Sequence, residues 1–233
     1  MPFLTERSFS ASAFSDQPSG TVTVPEDYQR NYAPDERLDK IIKLSMTKKE
    51  RIVDDYLSEI SSLLKKKQYL EASLAFHEYA THTGGKDIER FKNTIQRVFS
   101  EAPPESGVHE LTNAIRQQPS SKEQLQKAIK ILEAARSQKP SHGYILNVYL
   151  ANYLDMAGQT ETARDLILEA LESNPFLAGA YKDLGDKYLR EFDMANAWAS
   201  WDHMRRLNPE HQLAPVIDGL EQQIRQKHPV YFQ

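Results

Sequence analysis

The chain contains no cysteine, which removes disulfides, thiolate nucleophiles and thiolate metal sites together. Glycine is scarce as well, with nine among 233 residues, too few for the many tight turns of an all-β fold. No run approaches the roughly 18 apolar residues that a membrane-crossing helix needs. The first residues lack the basic region and apolar core of a signal peptide. There is no basic excess either: the net charge is −4, so the electrostatic footprint of a nucleic-acid binder is missing. Acidic membranes and polyanions are equally unsupported as partners. What remains is 39% apolar and 27% charged, ordinary for a soluble helical protein, and the simplest expectation is a cytoplasmic one.

The most informative stretch is 178–211. Tyr181-x-x-Leu184-Gly185-x-x-Tyr188 precedes Ala197-x-x-x-Trp201 and then Pro209. Leu184, Gly185 and Tyr188 share one side of a first helix, and Ala197 and Trp201 share one side of a second. Gly185 and Ala197 are small where two helices must approach closely. The pattern predicts a helix, a turn over 190–193, and an antiparallel helix ended by Asn208-Pro209. Leu150, Ala163 and Pro175 precede Leu184, Ala197 and Pro209 by 34 residues each. Between them Gly158, in Ala157-Gly158-Gln159-Thr160, suits a positive φ at a helix end. Residues 144–177 therefore form a second unit. Ala128-x-x-x-Leu132-x-x-Ala135 with Pro140 repeats a second-helix half, and Pro119 interrupts the helix before it, which makes 109–143 a degenerate unit. Tyr69-x-x-Ala72-x-x-x-Phe76 carries the second-helix spacing alone, and the sequence leaves open whether it belongs to a further unit.

These residues and their period resemble the tetratricopeptide repeat family, whose signature runs W-x-x-L-G-x-x-Y, A-x-x-x-F, P. The first aromatic and the Phe are here Tyr181 and Trp201. The resemblance implies an all-α fold: a right-handed superhelical array of antiparallel helix pairs, an α-solenoid with a C-terminal capping helix. It also implies that first helices line a concave groove that takes an extended peptide or a partner helix. On this chain the groove would hold Val148, Tyr149, Asn152 and Asp155 from one unit and Lys182, Asp183, Asp186 and Arg190 from the next. One subgroup clamps a C-terminal carboxylate there with Lys and Asn side chains. Asn152 is kept, but Val148 and Asp183 stand where that clamp wants Lys and Asn, which speaks against a chaperone-tail clamp.

In chain order, 1–34 is rich in Ser, Pro, Thr and Ala without sustained periodicity, and reads as a disordered arm. The alternative is a docking peptide anchored by Phe3, Phe9 and Phe14. Residues 35–104 read as a helical cap or degenerate repeats. Leu38, Ile41, Ile42 and Leu44 stripe a short helix, and Thr47-x-x-Glu50 reads as a capping box for a longer one. Further helices span about 69–83, ending at Gly84-Gly85, and about 88–100. The array follows over 105–227, after Pro103-Pro104, as one continuous solenoid. Within 212–227, Leu213, Val216, Ile217, Leu220 and Ile224 outline a capping helix, and 228–233 is a tail.

Little chemistry is signalled. His77-Glu78-x-x-x-His82 spaces its histidines five positions apart, which leaves them about 140° out of line on a helix. A zinc-protease helix needs H-E-x-x-H. Gly84-Gly85-Lys86 lacks a phosphate loop's upstream glycine and is followed by Asp87, so it reads as a helix end. His109, His142, His203, His211 and His228 have no Ser or Asp partner at a motif spacing, and Asp54-Asp55 and Glu169 with Glu172 read as solvated faces. No enzyme activity, cofactor or metal is expected. The function read from the sequence is a non-catalytic adaptor that binds a partner's peptide or helix in the groove. The alternative is a structural subunit of a larger complex, or a homodimer, joined through its array ends and N-terminal arm.

Overall fold

A computed structural model describes residues 34–227, and every regular element among them is helical. The helices are α1 (Glu36–Thr47), α2 (Val53–Lys65), α3 (Tyr69–Thr83), α4 (Lys92–Glu101), α5 (Val108–Arg116) and α6 (Lys122–Ser137). They continue with α7 (Tyr144–Met156), α8 (Thr160–Ser173), α9 (Ala178–Arg190), α10 (Met194–Leu207) and α11 (Ala214–Lys227). Single 3₁₀ turns at Ile88–Phe91 and Pro104–Ser106 lead into α4 and α5. The expected arm, apart from Pro34, and the tail 228–233 lie outside the described residues.

One turn recurs and explains the helix pairs. After α9, Phe192 adopts φ 60°, with its N–H bonded to the Leu189 carbonyl at 3.0 Å and the Asp193 N–H to the Tyr188 carbonyl at 2.9 Å. After α7, Gly158 adopts φ 82° with the same bonds, to Asp155 at 3.0 Å and from Gln159 to Leu154 at 2.9 Å. After α2, Lys67 adopts φ 58° and again the same bonds form, to Leu64 and from Gln68 to Leu63, both 2.9 Å. The second helices then place Ala72, Ala163 and Ala197, all fully buried, at one register. The spacing at Tyr69 thus belongs to a third pair, α2–α3.

The close approach expected at Gly185 is present. A Cβ there would lie 2.4 Å from Cδ1 and Nε1 of Trp201, so only glycine fits beside that indole. Trp198, which the motif does not place, is as buried as Trp201, and the two rings meet edge to face at 5.1 Å. Helices α5 to α10 pack in sequential order. The N-terminal helices do not simply extend that order. Helix α1 lies against α8 and α10, and α3 lies against α7 and α9. Leu38 and Ile41 of α1 enter the core shared by α5 to α10. Helix α3 is shared between two cores, giving Leu74 to that one and Ala72, Ala75 and Tyr79 to a second with Tyr56, Phe91 and Val98. Ala102 and Val108, on either side of Pro103-Pro104, are both buried in this second core.

Some local expectations are corrected. Thr47 is the last residue of α1, its hydroxyl donating to the Leu44 carbonyl at 3.0 Å, and no capping box forms with Glu50. Helix α2 starts three residues after Glu50, at Val53, because the Asp55 carboxylate accepts the Ile52 N–H at 3.2 Å. On α11, Val216 points outward at 44% exposure. That helix docks through Ala214, Ile217 and a buried ion cluster instead: Arg205 donates to Asp218 at 2.7 Å and to Glu221 at 2.8 Å.

Candidate functional site

Helices α7 and α9 carry the eight expected groove residues and join some of them, Asn152 to Asp183 and Asp155 to Arg190, but most of their polar atoms are satisfied within the chain. Val148 and Tyr149 are buried, and the Tyr149 hydroxyl lies 3.1 Å from His77 Nδ1 of α3. Asn152 donates to Asp183 across the two helices at 3.0 Å. Asp155 accepts from Lys187 at 3.1 Å and also pairs with Arg190. Lys182 is buried and donates to Asp186 at 2.5 Å, whose other oxygen accepts from Trp201 Nε1 at 3.2 Å. Burial pushes the Asp186 carboxyl above its usual range, against the pull of Lys182. Val148, Tyr149 and Lys182 therefore cannot face a partner. Asn152, Asp155, Asp183 and Asp186 remain partly accessible, and Arg190 is exposed.

The larger polar constellation is one that spacing alone could not reveal. Glu78 is 1% exposed, yet one of its oxygens accepts from Tyr56 at 3.0 Å, Asn174 at 2.9 Å and Arg51 at 3.3 Å. Its other oxygen lies 2.6 Å from His142 Nδ1, and His142 Nε2 lies 3.1 Å from Glu59. Arg51 closes the ring by donating to Glu59 at 2.5 Å and placing its guanidinium 3.9 Å from the Tyr56 ring centroid. His82 sits beside it, 3.1 Å from the Tyr56 hydroxyl and 2.7 Å from Glu50.

Electrostatics explain why a buried carboxylate is tolerated there. Burial raises the Glu78 pKa, but bonds from His142 and Tyr144 and the nearby Arg51 charge outweigh it and leave the group below its usual range. Burial likewise lowers the His142 pKa, and Glu78 and Glu59 reverse the sign and hold it above the ordinary imidazole value. These groups join α2, α3, the loop before α7 and the loop before α9. Their chemistry is mutual: each charge is spent on another inside the fold.

The remaining candidates also resolve into packing. His77 and His82 point to different partners, Tyr149 and Tyr56, and among the described residues no cluster of His, Asp and Glu is arranged to hold a metal. Gly84 ends α3 at φ 62°, and Lys86 pairs with Glu210 on the surface. His203 has a serine partner that motif spacing did not suggest, because Ser45 lies 158 residues earlier, with its hydroxyl 2.9 Å from Nε2. Burial and the nearby Arg206 push the His203 pKa down to about 4. The pair anchors α1 on α10. Glu169 is not simply solvated, since it accepts from Asn147 at 3.1 Å and faces Arg136 at 3.5 Å. Among the described residues no helix is long and apolar enough to cross a membrane. No family model, no curated protein and no solved structure matches this chain.

Proposed function

We propose that this chain is a tetratricopeptide-like helical array that works as a non-catalytic protein-interaction module. The observation that carries this reading is the recurrence of one turn and one buried alanine register in α2–α3, α7–α8 and α9–α10. Each such pair exposes apolar faces unless neighbours stack on it, so the architecture favours surfaces built for contact. The site best suited to a foreign segment is the mixed-sign surface of α7 and α9 around Asn152, Asp155, Asp183 and Arg190. A ligand there would carry at least one acidic group for Arg190, which now shares Asp155 with Lys187.

A second reading is favoured by the packing of α3. Because α3 occupies part of the surface of α7 and α9, the chain supplies some of its own groove ligand, as a subunit of a fixed assembly would. Quantitative capture with the intact chain and with Arg190→Glu distinguishes the two. A saturable protein partner that is lost on substitution, with the helical signal unchanged, supports the adaptor. A partner held equally by both chains places the contact elsewhere and supports the assembly subunit.

A further inference from the structure

Two features of the surface, an exposed aromatic ring and an open cleft, fit each other. The first is Phe192. It is 88% exposed, and its φ of 60° is a conformation that bulky side chains rarely adopt. At the equivalent turn after α7 the residue is Gly158, which meets that φ without strain. The α9–α10 turn thus holds an aromatic ring in water on a strained backbone, the combination that points to a task outside the fold. Beside it, Asp193 caps α10, accepting from the main-chain and side-chain amides of Asn196, and among the described residues no cation pairs with it. Glu191, on the other side, is neutralised by Arg164.

The second feature is an open cleft of about 320 Å³ between α5, α6 and the start of α3. Leu70, Leu111, Ile131 and Ala134 form its apolar part, and its charged lining is Lys127 and Lys130 of α6 with Glu110 of α5, a net positive set. Both lysines are exposed, and neither forms an ion pair with a described residue. The volume is ample for one aromatic side chain and lies at the lower end of ordinary ligand sites. Phe192 cannot reach this cleft in its own chain, because α7 and α8 lie between α9–α10 and α5–α6 in the packing order.

We propose that the Phe192 turn of one copy docks in the α5–α6 cleft of a second copy, with Asp193 meeting Lys127 and Lys130. The ring leaves water, and a carboxylate without an ion pair among the described residues meets two ammonium groups that have none there either. Knob and cleft are different surfaces, so the contact is heterologous. Each added copy leaves one knob and one cleft open, which gives head-to-tail chains instead of a closed dimer. The single-knob contact is small, so association is weak and concentration-dependent. The inference rests on the turn and the cleft alone, not on the binding of a foreign segment near Arg190.

Sedimentation of the full chain from about 1 μM to about 1 mM tests it. The expected result is an average mass that climbs past the dimer for the intact chain. Phe192→Gly removes the knob and Ala134→Trp fills the cleft, and each alone should stay monomeric with an unchanged helical signal. Lys127→Glu with Lys130→Glu, both exposed, gives a second cleft variant whose folding is not in question. Mixing Phe192→Gly with Ala134→Trp should give a 1:1 dimer that grows no further, since one knob and one cleft remain. An intact chain that stays monomeric throughout, or a Phe192→Gly chain that associates like the parent, overturns the proposal. If Phe192→Gly is monomeric but every cleft variant still associates, the cleft is not the receptor and the pairing is overturned. A monomeric chain that still captures a partner through Arg190 leaves the interaction reading standing.

Discussion

The α9–α10 and α2–α3 pairs share one turn and differ in what fills the space between their helices. In α9–α10 the filling is mostly apolar: Gly185 admits Trp201, and Leu184 and Ala197 are fully buried. In α2–α3 an ionic cluster adjoins the apolar core, with Glu59 at the register of Leu184 and Glu78 at the register of His203. The same two positions facing each other across each pair are polar in all three. They are Tyr56 with Glu78, Asn147 with Glu169, and Tyr181 with His203. Each second-helix member recruits a different neighbour: His142 for Glu78, Arg136 for Glu169 and Ser45 for His203. A mostly apolar pair stabilises itself, whereas a pair with a buried ionic cluster depends on what lies outside it. The difference locates where the N-terminal helices are fastened to the rest of the chain.

The largest test of this comparison removes the hub. Glu78→Ala should cost about 3 to 5 kcal/mol, because it strands the His142 and Arg51 charges in a buried site. Leu184→Ala in the mostly apolar pair should cost about 2 to 5 kcal/mol through a cavity. Urea unfolding of both variants checks the values, and the distinction lies in their response to pH. Leu184→Ala should keep the parent's pH profile, while Glu78→Ala should not. Equal profiles would remove the ionic role assigned to Glu78.

The next largest effect uses two histidines that titrate in opposite senses. His203 has its pKa lowered to about 4, so its neutral form is the native one. Its contribution is complete above the ordinary value of about 6.5 and is lost as pH falls toward about 4, roughly 3 kcal/mol at most. His142 has its pKa raised, so its contribution is complete below about 6.5 and is lost as pH rises through the higher folded value. Acid should therefore loosen α1 on α10 first, and mild alkali should loosen α2–α3 first. Amide exchange measured by segment at about pH 5 and about pH 9 checks this, and the same segment opening first at both would contradict it.

A smaller effect separates sterics from propensity at one atom. Gly185→Ala would gain up to about 1 kcal/mol from helix propensity alone. The Cβ would press on the Trp201 ring at 2.4 Å, so we expect a net loss of about 1 to 3 kcal/mol. Pairing it with Trp201→Leu should recover most of that loss, and a melting midpoint unchanged by Gly185→Ala alone would show that the indole has room to move.

The mostly apolar pair was the legible one for a physical reason. Its constraints are local: a glycine where a ring approaches, an alanine at the crossing and a proline at the end all fall within one period. The helix class, the turns after α7 and α9, and the buried roles of Leu184 and Trp201 follow from that. The ionic region depends on residues far apart in sequence, such as Glu78 with Asn174, 96 positions on, or Ser45 with His203. No spacing rule connects them. The groove expectation placed its residues on α7 and α9, and the sequence did not show that α3 would lie against those helices and bury Tyr149. The positive-φ position of the shared turn was readable at Gly158 and hidden at Lys67 and Phe192, whose side chains give no sign of a positive φ.

That hidden equivalence yields the smallest and cleanest comparison. At Gly158 a Cβ would meet nothing within 4 Å, so Gly158→Ala tests backbone conformation without steric contact. It should cost about 1 kcal/mol, the usual penalty for a side chain in the left-handed region. The reverse change at the same place in the other two turns should have the opposite sign. Lys67→Gly and Phe192→Gly relieve that penalty and lose part of the gain to the greater freedom of glycine in the unfolded chain, for a net gain of about 0.5 to 1 kcal/mol each. Neither side chain offsets this by packing, since Lys67 is exposed and the Phe192 ring is 88% exposed. Urea midpoints of the three single variants at a concentration low enough to keep the chain monomeric decide the matter. A loss at Phe192→Gly under those conditions would mean that the ring is held by its own chain. It would then no longer be a group the fold leaves over.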